Sequence, residues 1–365
     1  MHIPDGYLGP QTYGPAFAAM TVLWAAGVAR LKRTLRLREV PTLALGAAFS
    51  FVIMMFNVPI PAGTSGHAVG AVLIAILLGP WAAMVAVSLA LIVQALLFGD
   101  GGITAIGANC FNMAVVMPFV GWTVYRLIAG AAPVTSARHW IGGAVGGYVG
   151  LCAAALAAVV EFGIQPMLAH DAAGRALYCP FGLRIALAAM GIEHLLVFGF
   201  VEGMVTALVV LHLQRSAPEL LAAAQAPGPR PVSGARKLVM ALAVLVLLTP
   251  LGLYLPKLFR AGPAWGEWNG AEIKGEMVRQ TRGQQSFVPQ GLQRAEAERW
   301  EAPLRDYDLP GREPERPASR YGAYLLSAAV GVMAVGFLLL LVGRRIARKD
   351  GQDAHPHVDA APPGA

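Results

Sequence analysis

Residues 40–99 read VPTLALGAAFSFVIMMFNVPIPAGTSGHAVGAVLIAILLGPWAAMVAVSLALIVQALLFG and contain no Asp, Glu, Lys or Arg. A charge-free run of this length is too long for one buried helix of a soluble core. It suffices for three membrane crossings of about 20 residues each. The composition of the whole chain agrees: 56% hydrophobic and 13% charged residues with a mean hydropathy of +0.57, against roughly 25% charged in a soluble domain. The 42 glycines and 26 prolines fit membrane helices, which tolerate both. A soluble globular enzyme and a disordered chain are excluded as readings. Three cysteines with no CxxC pair, Cys110, Cys152 and Cys179, support neither a disulfide framework nor a thiolate cluster.

Working outward, hydropathy predicts nine helices, at 10–30, 41–57, 67–79, 81–98, 106–128, 140–163, 182–212, 237–255 and 321–343. The third is short and meets Gly79-Pro80 at once, so the third and fourth form a tight pair. The alternating pattern of a membrane barrel is absent. Positive residues follow spans one, five, seven and nine: Arg30, Lys32, Arg33, Arg36 and Arg38; Arg126 and Arg138; Arg215, Arg230, Arg236 and Lys237; Arg344, Arg345, Arg348 and Lys349. The positive-inside rule therefore puts the N-terminus outside and the C-terminus in the cytoplasm. The net charge of +7 is thus a topology signal, and nucleic acid is not an expected partner. The start lacks the basic region of a cleavable signal, and Met1 is expected to persist before the bulky His2. The expected organisation is a seven-helix membrane domain (1–213), a cytoplasmic Ala/Pro/Gly-rich linker (214–236), two further transmembrane helices (237–343) flanking an outer segment (256–320), and a polar tail (344–365). His355 and His357 in that tail read as solvated.

The residues with most chemistry stand first: Met1-His2-Ile3-Pro4-Asp5-Gly6. The Met1 amine, the deprotonated His2 amide and the His2 imidazole close two fused rings on a metal, placing three nitrogens in a plane. A fourth nitrogen completes a square, the geometry of Ni(II) or Cu(II). A His at position 2 is otherwise an ordinary residue. His67 strengthens the metal reading, because the loop Asn57–His67 (NVPIPAGTSGH) lies on the same outer face and its prolines and glycines make it rigid and closely packable. Alternatively, His67 caps a helix end. A third outer segment carries Asp100, Thr104, Asn109 and Asn112. These, with Asp5 and Ser65 beside the two histidines, either orient the imidazoles, as hydrogen-bonded partners of metal ligands do, or satisfy backbone groups at a helix start. In the seventh run, Glu193, His194 and Glu202 are intramembrane ionisable groups and so functional candidates. Glu193 and Glu202 face opposite ways and His194 lies about 80° from Glu202, which favours packing or coupling. Overlapping GxxxG patterns at Gly142, Gly143, Gly146, Gly147 and Gly150 fit close helix packing, inside the bundle or against another subunit, as do Ala25 and Ala29.

The start MHIPDG, the loop PIPAGTSGH and the run FGDGGITAIGANxFNM together resemble the CbiM/NikM family, the substrate-capture (S) components of energy-coupling-factor transporters for cobalt and nickel. The resemblance covers residues 1–213. It implies an all-α polytopic fold with seven helices and the N-terminus outside, in the bacterial inner (plasma) membrane. It implies a planar site of four nitrogens from the Met1 amine, the His2 backbone and imidazole, and the His67 imidazole. Co(II) or Ni(II) would be cargo, with no permanently bound cofactor. Residues 237–343 look like the small companion subunit of these systems, which the resemblance implicates in metal loading or release. The sequence has no GK dipeptide, so no Walker A loop; the expected partners in the lipid bilayer are a transmembrane coupling (T) protein and a cytoplasmic ATPase pair. Rival readings are an intramembrane metal-dependent enzyme or a passive channel built on Glu193, His194 and Glu202. The chain carries no HExxH, and the spans hold few polar residues for a pore.

Overall fold

The computed structural model describes residues 2–60, 63–225, 235–258, 262, 264–280, 282–283, 286–298, 300–310 and 317–348. The Met1 amine, much of the linker and most of the tail, with His355 and His357, lie outside the described residues. Long apolar helices dominate: α1 (Pro10–Thr34), α2 (Leu37–Met54), then, after a short α3 (Ala71–Leu78), α4 (Pro80–Phe98), α5 (Ile106–Ala129), α6 (Ala137–Leu168) and α7 (Leu183–Ser216). Beyond the linker come α8 (Leu238–Leu248) and α9 (Pro250–Leu258), bent by 43°. Pro250 has no N–H to continue the ladder, and the Thr249 hydroxyl donates to the Val246 carbonyl instead. Two short helices, α10 (Gly270–Gln280) and α11 (Gln290–Ala297), precede the last span, α12 (Ser319–Ile346). The chain is a multi-pass membrane protein.

The third predicted run is not a full-length helix. Only Ala71–Leu78 is helical, and it is almost wholly buried. Its far end, Leu77 and Leu78, lies beside Arg38, Glu39 and Leu220, at the basic end of the bundle. Residues 56–60 and 63–70 therefore lie toward the opposite end as non-helical chain, with Val58–Pro59 paired against Ser65–Gly66. Prolines 59 and 61 and glycines 63, 66 and 70 disfavour helix there. Non-helical backbone at membrane depth survives only where protein satisfies it, and that requirement shapes the site below.

The glycines of α6 pack inside the bundle. A Cβ at Gly146 would sit 2.6 Å from the Gly121 carbonyl oxygen and one at Gly150 2.7 Å from that of Met117, both on α5, while Gly143 and Gly147 abut Thr206 of α7. Within the stretch expected as linker, α7 continues to Ser216 and a short helix Pro218–Gln225 follows, anchored by buried Leu220 and Leu221. The basic loops share one end. The Arg348 amide donates to the Leu35 carbonyl and the Leu37 amide to that of Arg348, tying the end of α12 to the α1–α2 turn. The last span packs along α2, with Gly331 against the Phe51 ring.

Candidate metal site

The N-terminal segment is strapped across the end of the bundle opposite the α1–α2 turn. The Asn109 side chain accepts from the Ile3 amide at 2.8 Å and donates to the Ile3 carbonyl at 3.1 Å, and the Gly102 amide donates to the same carbonyl. Asp5 accepts from the Ile103 and Thr104 amides and from the Thr104 hydroxyl. Glycine is required at 102 because a Cβ would collide with the Asp5 amide. Asp5, Thr104 and Asn109 thus fix where His2 sits. Asn112 serves elsewhere, donating to Glu161 of α6 at 2.7 Å.

The loop bearing His67 is held on every side. Strands β1 (Val58–Pro59) and β2 (Ser65–Gly66) pair antiparallel. The Thr64 amide donates to the Ala189 carbonyl, and the Glu193 carboxyl occupies the space of a Gly63 Cβ. The Ser50 hydroxyl donates to the Val69 carbonyl at 2.8 Å. Glu202, fully buried in α7, accepts from the Val69 amide at 2.8 Å and from the Gly70 amide at 3.1 Å. Gly70 takes the left-handed conformation (φ 71°) that opens α3, which has no cap of its own. A carboxylate from another helix therefore satisfies the orphan donors and complements the dipole at this helix start. His194 plays no part in the loop: its Nδ1 donates to the Met190 carbonyl in its own helix.

These two supports bring His2 and His67 together, both buried, with ring centroids 4.9 Å apart and planes 29° apart. The His67 Nδ1 faces the Ala68 carbonyl at 3.1 Å. A carbonyl only accepts, so Nδ1 carries the hydrogen and Nε2 keeps its lone pair. The His2 Nδ1 pairs with Asp100 at 2.8 Å. Burial would raise the Asp100 carboxyl, but His2 and the Tyr307 hydroxyl outweigh it and keep the group below the carboxylate range. The Nε2 atoms of both histidines are buried with no hydrogen-bond partner among the described residues. Two imidazole nitrogens buried without a hydrogen-bond partner at one place could hold a metal. Among the described residues no group of three or more His, Cys, Asp or Glu could hold a metal, and the three cysteines are buried and free.

The segment after α9 reaches this site, which the sequence reading missed. The Trp265 amide donates to the Gly63 carbonyl, Glu267 accepts from the Ser65 hydroxyl, and the Tyr307 hydroxyl donates to Asp100 at 2.6 Å. Four π-helical turns, Gln94–Phe98, Phe111–Val116, Leu187–Gly191 and His194–Phe198, widen the helices here, as is common near functional sites.

A Cβ at Gly66 would overlap the Phe198 ring. Overpacking of this kind costs about 1–3 kcal/mol, and here it displaces the residue next to His67. Gly66→Ala is expected to weaken metal binding by about 5- to 150-fold, given 1.4 kcal/mol per decade, as read by titration calorimetry.

Residues 2–220 match the family described as the cobalt uptake substrate-specific transmembrane region. The fused nickel transport protein NikMN of Rhodobacter capsulatus is 48% identical over 342 residues, 92% of this chain and 95% of that protein. The probable fused nickel transport protein LarMN of Lactiplantibacillus plantarum is 42% identical over 94% of this chain and 97% of its own. The crystal structure of a truncated transition metal transporter, 51% identical, superposes with a TM-score of 0.56 and covers 59% of this chain and 99% of that one. On sequence and fold alike, this chain belongs to the cobalt uptake substrate-specific transmembrane family, among the cobalt and nickel transport proteins.

Proposed function

We propose that this chain is the capture component of an energy-coupling-factor transporter and takes up divalent nickel or cobalt in a planar site of four nitrogens: the Met1 amine, the His2 amide and imidazole, and the His67 imidazole. The observation that carries the reading is the stacked His2–His67 pair, with the His67 Nε2 buried, unpartnered and free to ligate. The relatives that share both halves of the chain are named nickel transport proteins, and a square of nitrogens suits Ni(II), so nickel is the favoured cargo. The N-terminus and this site face the extracytoplasmic side, with the basic end of the bundle in the cytoplasm. Energy comes from a separate ATPase pair acting through a transmembrane coupling protein, because this sequence lacks a Walker A loop.

The test is titration of detergent-purified protein with a native N-terminus and a C-terminal tag. One Ni(II) or Co(II) per chain is expected, lost in both His2→Ala and His67→Ala. Stoichiometric binding that survives either change overturns the assignment.

A further inference from the structure

Tyr307 belongs to the segment between α9 and the last span, α12, yet it reaches the candidate metal site. Its hydroxyl donates to one Asp100 oxygen at 2.6 Å, and the other Asp100 oxygen holds the His2 Nδ1 at 2.8 Å. Gln94 donates to the same hydroxyl at 3.1 Å. The Tyr307 ring stacks on Phe98 with centroids 4.8 Å apart, and Ser327 of α12 binds its carbonyl. Asp306 and Tyr307 both adopt positive φ, 54° and 60°, a conformation that costs non-glycine residues energy and persists where the surroundings over-determine it. The segment is thus built to present this hydroxyl. Further backbone ties run from the Leu304 amide to the Leu97 carbonyl and from the Trp265 amide to the Gly63 carbonyl.

A chelate that already uses the His2 amide nitrogen can close onto the imidazole only through Nδ1, which Cα, Cβ and Cγ join to the amide. Nε2 lies on the far side of the ring and cannot reach the same ion. In this structure Nδ1 is the atom that donates to Asp100. One nitrogen cannot carry a hydrogen for Asp100 and offer a lone pair to a metal.

We propose that Tyr307 is a positioning residue of the capture site: by fixing Asp100 it holds His2 through the nitrogen the metal needs, so docking of the 262–310 segment and binding of the metal compete. This rests on the four-nitrogen reading above. Linkage makes the competition reciprocal. Loosening the latch tightens metal binding, and the metal loosens the segment.

The test compares Ni(II) affinity of the full-length wild type and Tyr307→Phe, which keeps the ring and removes only the hydroxyl. Hydrogen exchange at the Trp265, Leu304 and Tyr307 amides is followed with and without Ni(II). Nickel is expected to bind Tyr307→Phe about 3- to 10-fold more tightly, the range set by one net hydrogen bond, and to speed exchange at those amides in the wild type. Unchanged or weaker binding in Tyr307→Phe, or protection of those amides by nickel, overturns the competition. The exchange measurement needs no variant, so it decides the matter even if Tyr307→Phe folds poorly. If the wild type binds one nickel and His2→Ala does not, the capture reading stands and these results judge the latch alone.

Discussion

Two residues placed ahead of Met1 abolish nickel binding and leave the fold intact. The extension turns a terminal amine into a peptide nitrogen and deletes one corner of the square. Losing a direct ligand costs more than the roughly 10- to 100-fold that losing a supporting partner does. The added residues lie beyond Ile3, whose two bonds to Asn109 hold the strap in place, and Asp5 keeps its three. The thermal midpoint is therefore expected to stay where it was. This variant asks what His2→Ala and His67→Ala cannot, since either loses binding in any site built on two imidazoles. Only a site that uses the amine fails on extension. Stoichiometric binding by the extended chain would remove Met1 from the ligand set and leave the two Nε2 atoms as the donors. The pH profile separates the same alternatives. Ligands bind after losing their protons, so acid weakens binding. A site that uses the amine should lose affinity from pH 8 to 6, where an amine of ordinary pKa about 7.7–8.0 takes up its proton.

Most of the membrane architecture is legible in the sequence, because lipid imposes a coarse rule on every span. The charge-free run at 40–99 and the arginines after alternate helices say where the chain crosses and which ends lie together, and Arg348 does meet the α1–α2 turn. The rule fails at the third run, where apolar composition marks depth but not helix. Residues 56–60 and 63–70 stay non-helical because Glu202, Ser50, Ala189 and Trp265 take up their backbone groups, and such partners, remote in sequence, leave no local trace. His2 and His67 could be read as a pair from chelate chemistry and a shared face. Their supports were only partly readable: Asp5, Thr104 and Asn109 hold the strap and Asp100 meets His2 directly, but Asn112 turns to Glu161. Tyr307 carried no signal, since a tyrosine in a polar loop is unremarkable until the loop folds back 207 positions onto Asp100. Glu193 and Glu202 were flagged as intramembrane acids, and the fold gives them one task, holding the His67 loop from the side of α7.

That task makes Glu202 the second large effect: Glu202→Ala loses nickel binding although Glu202 touches no metal. Removing the carboxylate leaves the Val69 and Gly70 amides buried without an acceptor, and each unsatisfied group costs about 1–3 kcal/mol. No water at that depth replaces it. α3 then starts with neither a cap nor a compensating charge, and the loop two residues earlier carries His67. The expected outcome is a lower thermal midpoint and a nickel affinity reduced about 10- to 100-fold, the range for losing a group that orients a ligand. Glu202→Gln, whose amide oxygen can still accept from one of the two donors, should recover part of both. A coupling or proton-carrying role predicts the opposite split: both variants would bind nickel normally in detergent, and uptake in cells would stop. Normal titrations with abolished uptake would take Glu202 out of the site's scaffold and place it in the transport step. Joint loss of stability and affinity, graded from alanine to glutamine, assigns it to the loop.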